Sequence, residues 1–349
     1  MDRMRYKLYP NIYVLITAES ALVRKSVAIN MGINLIREAF GQDIYMVTGS
    51  ITPEGLVKHL NRTKLTVATK TLKAYQDSHF LLYNDELASL FGYDRQRASR
   101  MSILLTKLYD CPDFYPHTTA TEGVWEVHNA YPVLLMATAP HNLKVLPEDA
   151  VGGLIGRMIS VTADRRRKKI AWLDKPPSQD DLVEDLREIG SLSGVMVPTD
   201  EAKAVFEKWY MSLPEESTGD IRLDAFVERF HDTALKLSML LSLSRRSDLV
   251  VDVEHVVTGI KMVEIIMTDF GRMLRWLAPT PYAQARVHFT VILKRLGGKA
   301  PRTVMLKAMG LTADDFDKIV TTLVQEGTIK SPVLTGRTTY YELTDPTSI

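Results

Sequence analysis

Five short, nearly uninterrupted apolar runs lie in the first half of the chain, each followed by a longer stretch of helical or mixed pattern. They fall at residues 11–17 (NIYVLIT), 44–47, 80–83 (FLLY), 131–138 (YPVLLMAT) and 159–162. A strand buried on both faces reads as a continuous apolar run, whereas a half-exposed strand alternates. Runs of this kind separated by helices predict an α/β fold, a mostly parallel sheet with helices on both faces. Val27, Ile29, Ile33 and Ile36 recur at helical spacing and predict a helix over 25–40. Thr52 as N-cap followed by Pro53 starts another. One long helical stretch is expected over 86–109, and a hairpin over 118–127.

The pattern changes after DKPPSQDD at 174–181, where Pro176 and Pro177 make a plausible linker. Residues 180–277 read as almost wholly helical, with helices over 199–213, 223–244 and 253–277. FHDTALKLSMLLSLS is apolar nearly all round, as expected of a central bundle helix. APTP at 278–281 marks a second boundary. Three helices and a hairpin turning at Gly336 follow, the order of a winged helix-turn-helix. The expected domains are therefore a core over 1–175, a helical subdomain over 176–278 and a winged helix over 279–349.

Composition narrows the function classes. The 349 residues are 46% apolar and 24% charged with a net charge of +1, so this is no polycation coating nucleic acid. Any DNA contact must come from local patches, the clearest being DRRRKK with Arg165, Arg166 and Arg167. Charge runs are also ordinary wet surface, and that reading stays open. No stretch approaches the roughly 20 apolar residues of a membrane span, and the N-terminus lacks a secretion-signal pattern. Cys111 is the single cysteine, and the eight histidines form no ligand spacing, which argues against disulfides and structural zinc. A cytoplasmic protein is expected.

ITAESALVRKSVAIN, at 16–30, joins the first strand to the first helix. A phosphate-binding loop occupies such a junction. Its backbone N–H groups and helix N-terminus hold phosphate, a lysine neutralises charge, and a hydroxyl binds magnesium. Lys25 and Ser26 stand at the matching places, with Ser20, Ala21 and Arg24 as further nucleotide-binding candidates. The usual glycine positions hold Glu19 and Arg24 instead. A residue other than glycine forced to positive φ there costs about 1–2 kcal/mol.

Three later motifs add to this loop. HFLLYNDELASLFG ends an apolar strand in Asp85 and Glu86, suited to a magnesium-bound water and to a general base. Asp85 serves equally well as the N-cap of the following helix. In AYPVLLMATAPHNL, Thr138 ends a strand with a hydroxyl, either a γ-phosphate or water contact or a satisfied turn hydroxyl. In GGLIGRMISV, Arg157 precedes a strand, placed either to reach a neighbouring subunit's γ-phosphate or to make a surface ion pair. A parallel sheet brings the ends of the loop, acid and threonine strands to one edge.

In this order the motifs resemble the P-loop ATPase domain of phage and plasmid replication proteins, a helicase-like family often linked to primases. The resemblance covers about residues 9–265, including RFHDTALKLSMLLSLS. It implies a RecA-like or AAA+-like core with ATP and Mg2+ as cofactors. It also implies a homo-oligomer, a ring such as a hexamer, with DNA as partner and a separate primase. Lys25 and Ser26 would match the phosphate-loop residues, Ser26 and Asp85 the magnesium ligands, and Glu86 the catalytic acid. Thr138 would match the polar sensor and Arg157 the arginine finger.

The C-terminal unit qualifies the DNA reading. Its third helix opens with Asp314, Asp315 and Asp317, which repel phosphates but also suit a helix N-terminus capped by Thr312. Lys330 and Arg337 on the hairpin remain as DNA-binding candidates. Three functions stand at this point: an ATP-dependent helicase or translocase of mobile-element replication, a loader-type switch ATPase, and a non-enzymatic adaptor on a degenerate P-loop fold.

Overall fold

The computed structural model describes the chain except residues 4–5, 20–22, 42, 62–77, 120–122, 148–149, 151–152, 164–177, 214–220, 278–280, 337 and 345–349. The chain divides into two compact units, Met1–Met273 and Leu274–Ile349.

In the first unit the apolar runs become β1 (Tyr13–Ala18), β2 (Tyr45–Val47), β3 (Ser78–Asn84), β6 (Ala130–Thr138) and β7 (Met158–Ala163). β4 (Phe114–Thr119) and β5 (Gly123–His128) form an antiparallel hairpin just before β6. The five apolar runs pair in the order β2-β3-β6-β1-β7, every pair parallel. Helices of this region include α1 (Lys25–Phe40), α2 (Pro53–Leu60), α3 (Leu87–Phe91) and α4 (Arg95–Tyr109).

Side chains alternate across the sheet, so each strand serves two helical layers. On one face Ile29 and Ile33 of α1 pack on Leu81, Ala137 and Ile16. On the other, the fully buried Tyr13 donates its hydroxyl to the Leu105 carbonyl of α4 at 2.9 Å and sets its ring against Tyr109. Val27, counted in the apolar stripe of α1, is 51% exposed. The buried positions are Lys25, Ile29 and Ile33, four residues apart, and Val27 lies well round from that line.

Two expected long helices are broken. The stretch over 86–109 divides at Gly92, whose φ of 69° ends α3, and Asp94 then caps α4 by accepting from the Arg97 N–H. The stretch over 223–244 divides into helices Ile221–Val227 and Phe230–Leu243. The helical region also includes helices Asp180–Ser191, Asp200–Tyr210 and Val253–Trp276. Arg187 of the first donates to the Glu38 and Ala39 carbonyls, a favourable place for a cation at the C-terminal end of α1. Phe226 and Phe270 stack at 4.3 Å between centroids. The paired strands β8 (Val197–Pro198) and β9 (Val250–Val251) were not expected from the pattern, since two residues carry no periodicity.

The second unit has helices Pro281–Arg295, Arg302–Met309 and Ala313–Gln325 with strands β10 (Lys299–Pro301), β11 (Val333–Thr335) and β12 (Thr338–Glu342). The strands form an antiparallel sheet in the order β10-β12-β11. β10, between the first two helices, is additional to the hairpin expected from sequence. Phe289, Phe316 and Tyr341 meet ring to ring at 5.5–5.7 Å and centre the core.

Candidate functional site

The connections of the sheet diverge at the β1–β6 pair. β1 leads through α1 toward the β2 edge, whereas β6 leads back past β1 to β7. Ligands of open parallel sheets bind outside the carboxyl ends of strands at such a switch point. The loop after β1, the acids after β3 and Thr138 at the end of β6 all lie at that edge.

Lys25 opens α1 and is 6% exposed. Its ammonium group donates to the Ala18 carbonyl at the end of β1. Burial lowers its pKa, opposed by the charges of Glu86, Glu19 and Asp85. The lysine is thus held inward on the Ala18 carbonyl, within electrostatic reach of three carboxylates, where phosphate oxygens would find a largely buried cation. Ser26 follows it in the first turn. Arg24 is exposed at the N-cap position with a φ of −82°, and Glu19 also lies outside the positive-φ region. The expected strain of glycine loss is therefore absent at both residues. Ser20 and Ala21 lie outside the described residues.

Glu86 is the N-cap residue of α3 but makes no side-chain capping bond. Its Oε1 instead accepts the Thr138 hydroxyl at 3.0 Å. Asp85 is exposed and makes no hydrogen bond among the described residues, so neither acid is spent on capping. Asn84 is consumed differently, since its side-chain amide pairs with the N–H and carbonyl of Gly49 at 2.9 and 3.1 Å and ties the ends of β2 and β3 together.

Sequence reasoning missed two further threonines. Thr17 pairs in register with Thr138 on one side and Thr162 on the other, placing three hydroxyls in a row across β6, β1 and β7. Thr162 is held by Asp269 of helix Val253–Trp276, through its N–H at 3.1 Å and its hydroxyl at 2.7 Å. The Thr17 hydroxyl is fully buried and without a partner among the described residues. A threonine ending each of three apolar runs was the available signal.

Arg157 stands at the other end of the sheet. It directly precedes β7, whose Met158 pairs with Tyr13 at the start of β1. Six strand residues put about 20 Å between the two edges, so Arg157 is not brought to Lys25 of the same chain. Its Nη2 lies 3.4 Å from an Asp110 oxygen, and its guanidinium is 5.8 Å from the Tyr109 ring centroid. Lys236 of helix Phe230–Leu243 is buried nearby. It donates to the Asn11 carbonyl and side-chain oxygens at 3.0 and 2.8 Å and sits 3.9 Å from the Tyr109 centroid.

Burial pulls the Lys236 pKa down to about 8, against the raising influence of Cys111, Asp232 and Asp110 and with a lowering one from Arg157. A lysine whose folded pKa is depressed binds fewer protons folded than unfolded between about pH 8 and its ordinary value near 10.5. Its contribution to stability therefore rises with pH across that window. Relative to Lys236→Met, wild type is expected to gain up to about 3 kcal/mol between pH 7.5 and 10.5, read from paired urea melts. A difference that does not vary with pH would refute the shift.

Of the remaining candidates, Lys330 is ion-paired to Glu342, which Lys299 also approaches at 3.3 Å. In the helix after Thr312, Asp315 N–H donates to the Thr312 hydroxyl at 3.3 Å and Asp317 is bound by Arg302. Arg165, Arg166, Arg167 and Arg337 lie outside the described residues. No helix among the described residues is long and apolar enough to cross a membrane.

Among the described residues no group of three or more His, Cys, Asp or Glu side chains forms a metal site by itself. Magnesium arriving with a nucleotide needs no such cage, since one or two carboxylates, waters and phosphates complete its octahedron. Ser26 and Asp85 supply hard oxygen donors of that type. Fold and site together define an α/β protein whose parallel sheet gathers a buried lysine, a serine, two acids and a threonine row at its carboxyl edge. No protein-family model matches the chain, and no curated protein matches it.

Proposed function

We propose that the first unit is a P-loop ATPase and that the chain is a DNA helicase or helicase-like translocase of mobile-element replication. The observation carrying the reading is the Thr138–Glu86 hydrogen bond at the same sheet edge as the buried Lys25. In-line phosphoryl transfer needs little more than positioning and charge: a cation on the phosphates and a carboxylate orienting the attacking water. Lys25 fills the first role. Glu86, left free of capping and steered by Thr138, fills the second.

Ser26 and Asp85 are the residues to hold magnesium, which when bound neutralises charge developing on the phosphates. Arg24, at the mouth of the same turn, is a further phosphate contact. Arg157 acts between subunits, which requires a homo-oligomer, a ring in the simplest closed form. The second unit is a winged helix, with Lys330 and Arg337 as DNA contacts and Arg165–Arg167 as a second basic patch. A primase would be a separate partner.

The test is ATP turnover by the wild-type protein with and without magnesium and single-stranded DNA, joined to a strand-displacement assay. Magnesium-dependent turnover stimulated by DNA, with strand separation, is the expected result. Turnover without displacement would favour the loader-type switch. No turnover under any condition would favour the adaptor.

A further inference from the structure

Threonine and valine have the same shape and suit a strand equally well, so what a buried threonine adds is its hydroxyl. A hydroxyl taken out of water and left without a bond lowers stability. Thr17, next to last in β1, is fully buried, and its hydroxyl has no hydrogen-bond partner among the described residues. Ser160 of β7 is a second such case. Register pairs it with Leu15, which puts Ser160 and Thr17 on one face of the sheet, two residues apart along the strands. Their surroundings differ. Ser160 lies back from the edge, in a row with Leu15 and Met136. Thr17 stands at the carboxyl edge between Thr138 and Thr162.

Both of those neighbours have their hydroxyl hydrogens committed. Thr162 donates to Asp269 at 2.7 Å, and the same carboxylate takes the Thr162 N–H at 3.1 Å and lies 3.2 Å from Arg272. That bond is short and fixed from two sides. Thr138 is less settled. It donates to Glu86 at 3.0 Å, with the Ala139 carbonyl as a second acceptor at 3.3 Å. A hydroxyl carries one hydrogen and two lone pairs. The Thr138 hydrogen is thus divided between two oxygens, while its own oxygen has room to accept. A donor bound to that oxygen fixes the hydroxyl and strengthens the bond it gives in turn. Paired residues on neighbouring strands lie about 5 Å apart with side chains on the same face, so a turn about χ1 of Thr17 spans the gap. The bond is not made in this structure.

We infer that Thr17 is a positioning residue for Glu86, acting through Thr138. Its hydroxyl donates to the Thr138 oxygen when the site works, and the Thr138 hydrogen is then given wholly to Glu86. The inference rests on the ATPase reading and adds to it a residue two hydrogen bonds removed from the attacking water. A hydroxyl that lowers stability while unbonded is retained because its bond aligns the base. Ser160, in a row of apolar residues, has no acid to act on and serves as the control.

The experiment compares steady-state ATP turnover and thermal melts of wild type, Thr17→Val, Thr17→Ser and Ser160→Ala. Thr17→Val is expected to lower kcat about tenfold with KM changed less than about threefold. It should nevertheless melt at or above wild type, by up to about 3 °C, because the unbonded hydroxyl is gone. Thr17→Ser keeps the hydroxyl and should stay within about twofold of wild-type kcat even if loss of the methyl lowers its melting temperature. Ser160→Ala should leave kcat unchanged. A Thr17→Val protein as active as an active wild type, or one melting several degrees below it, overturns the inference and leaves the ATPase reading standing. So does an equal loss of kcat in Ser160→Ala, which would trace the effect to the sheet rather than to Thr138. A wild type without turnover overturns both.

Discussion

Glu86→Gln is expected to reduce ATP turnover by about a thousandfold while nucleotide affinity stays within about threefold. Glutamine has the same shape as glutamate and keeps an oxygen for the Thr138 hydroxyl, which now donates at 3.0 Å. The row of Thr138, Thr17 and Thr162 therefore has no reason to move. What disappears is the negative charge that orients and polarises the attacking water. Phosphate contacts on the Lys25 side are left intact, and removing an anion from the edge if anything favours a polyphosphate. Equilibrium binding of a fluorescent ATP analogue, alongside single-turnover hydrolysis, separates the two effects. A variant hydrolysing ATP at the wild-type rate would mean that Glu86 is not the base and that its bond to Thr138 is structural.

The second large effect is expected from Lys25→Met. Lys25 is 6% exposed, and burial already disfavours its charged form. Methionine keeps the length and apolar packing of the stem and removes the ammonium that donates to the Ala18 carbonyl. Because that charge is costly to bury, the melting temperature should hold or rise slightly. Nucleotide affinity should nevertheless fall at least about a hundredfold, since a desolvated ammonium contacting two phosphates makes strong charge-assisted bonds. Opposite responses of stability and binding are the signature of a group retained for a ligand. Lower stability with unchanged ATP binding would make Lys25 a structural clasp between α1 and β1.

The α/β class was legible because each central strand is apolar on both faces, a pattern read without knowing its neighbours. Lys25 and Ser26, Asp85 and Glu86, and Thr138 were legible for a related reason: a strand's C-terminal end is a local feature, and a parallel sheet sends all such ends to one edge. Breaks inside two expected helices were less visible. Gly92 within a helical pattern reads as tolerable until its φ of 69° shows that the chain has turned. Arg229 directly precedes the apolar helix Phe230–Leu243, and nothing in the local pattern marks its partner. It donates to the Ala225 carbonyl, which lies close against Gly156, 69 positions away in the chain.

By itself, then, the order of apolar runs determined the layers of this protein and which residue types stand at strand ends, because burial on both faces leaves a periodicity in the chain. Packing of remote segments set the partners. It put Thr138 against Glu86 and left the hydroxyl of Thr17 without a partner among the described residues, between two satisfied neighbours. It also set Lys25 and Arg157 at opposite edges of one sheet. Hydrogen bonds and charge pairs form between groups a few ångströms apart in space, and spacing along the chain does not encode that distance once strands from remote segments lie side by side.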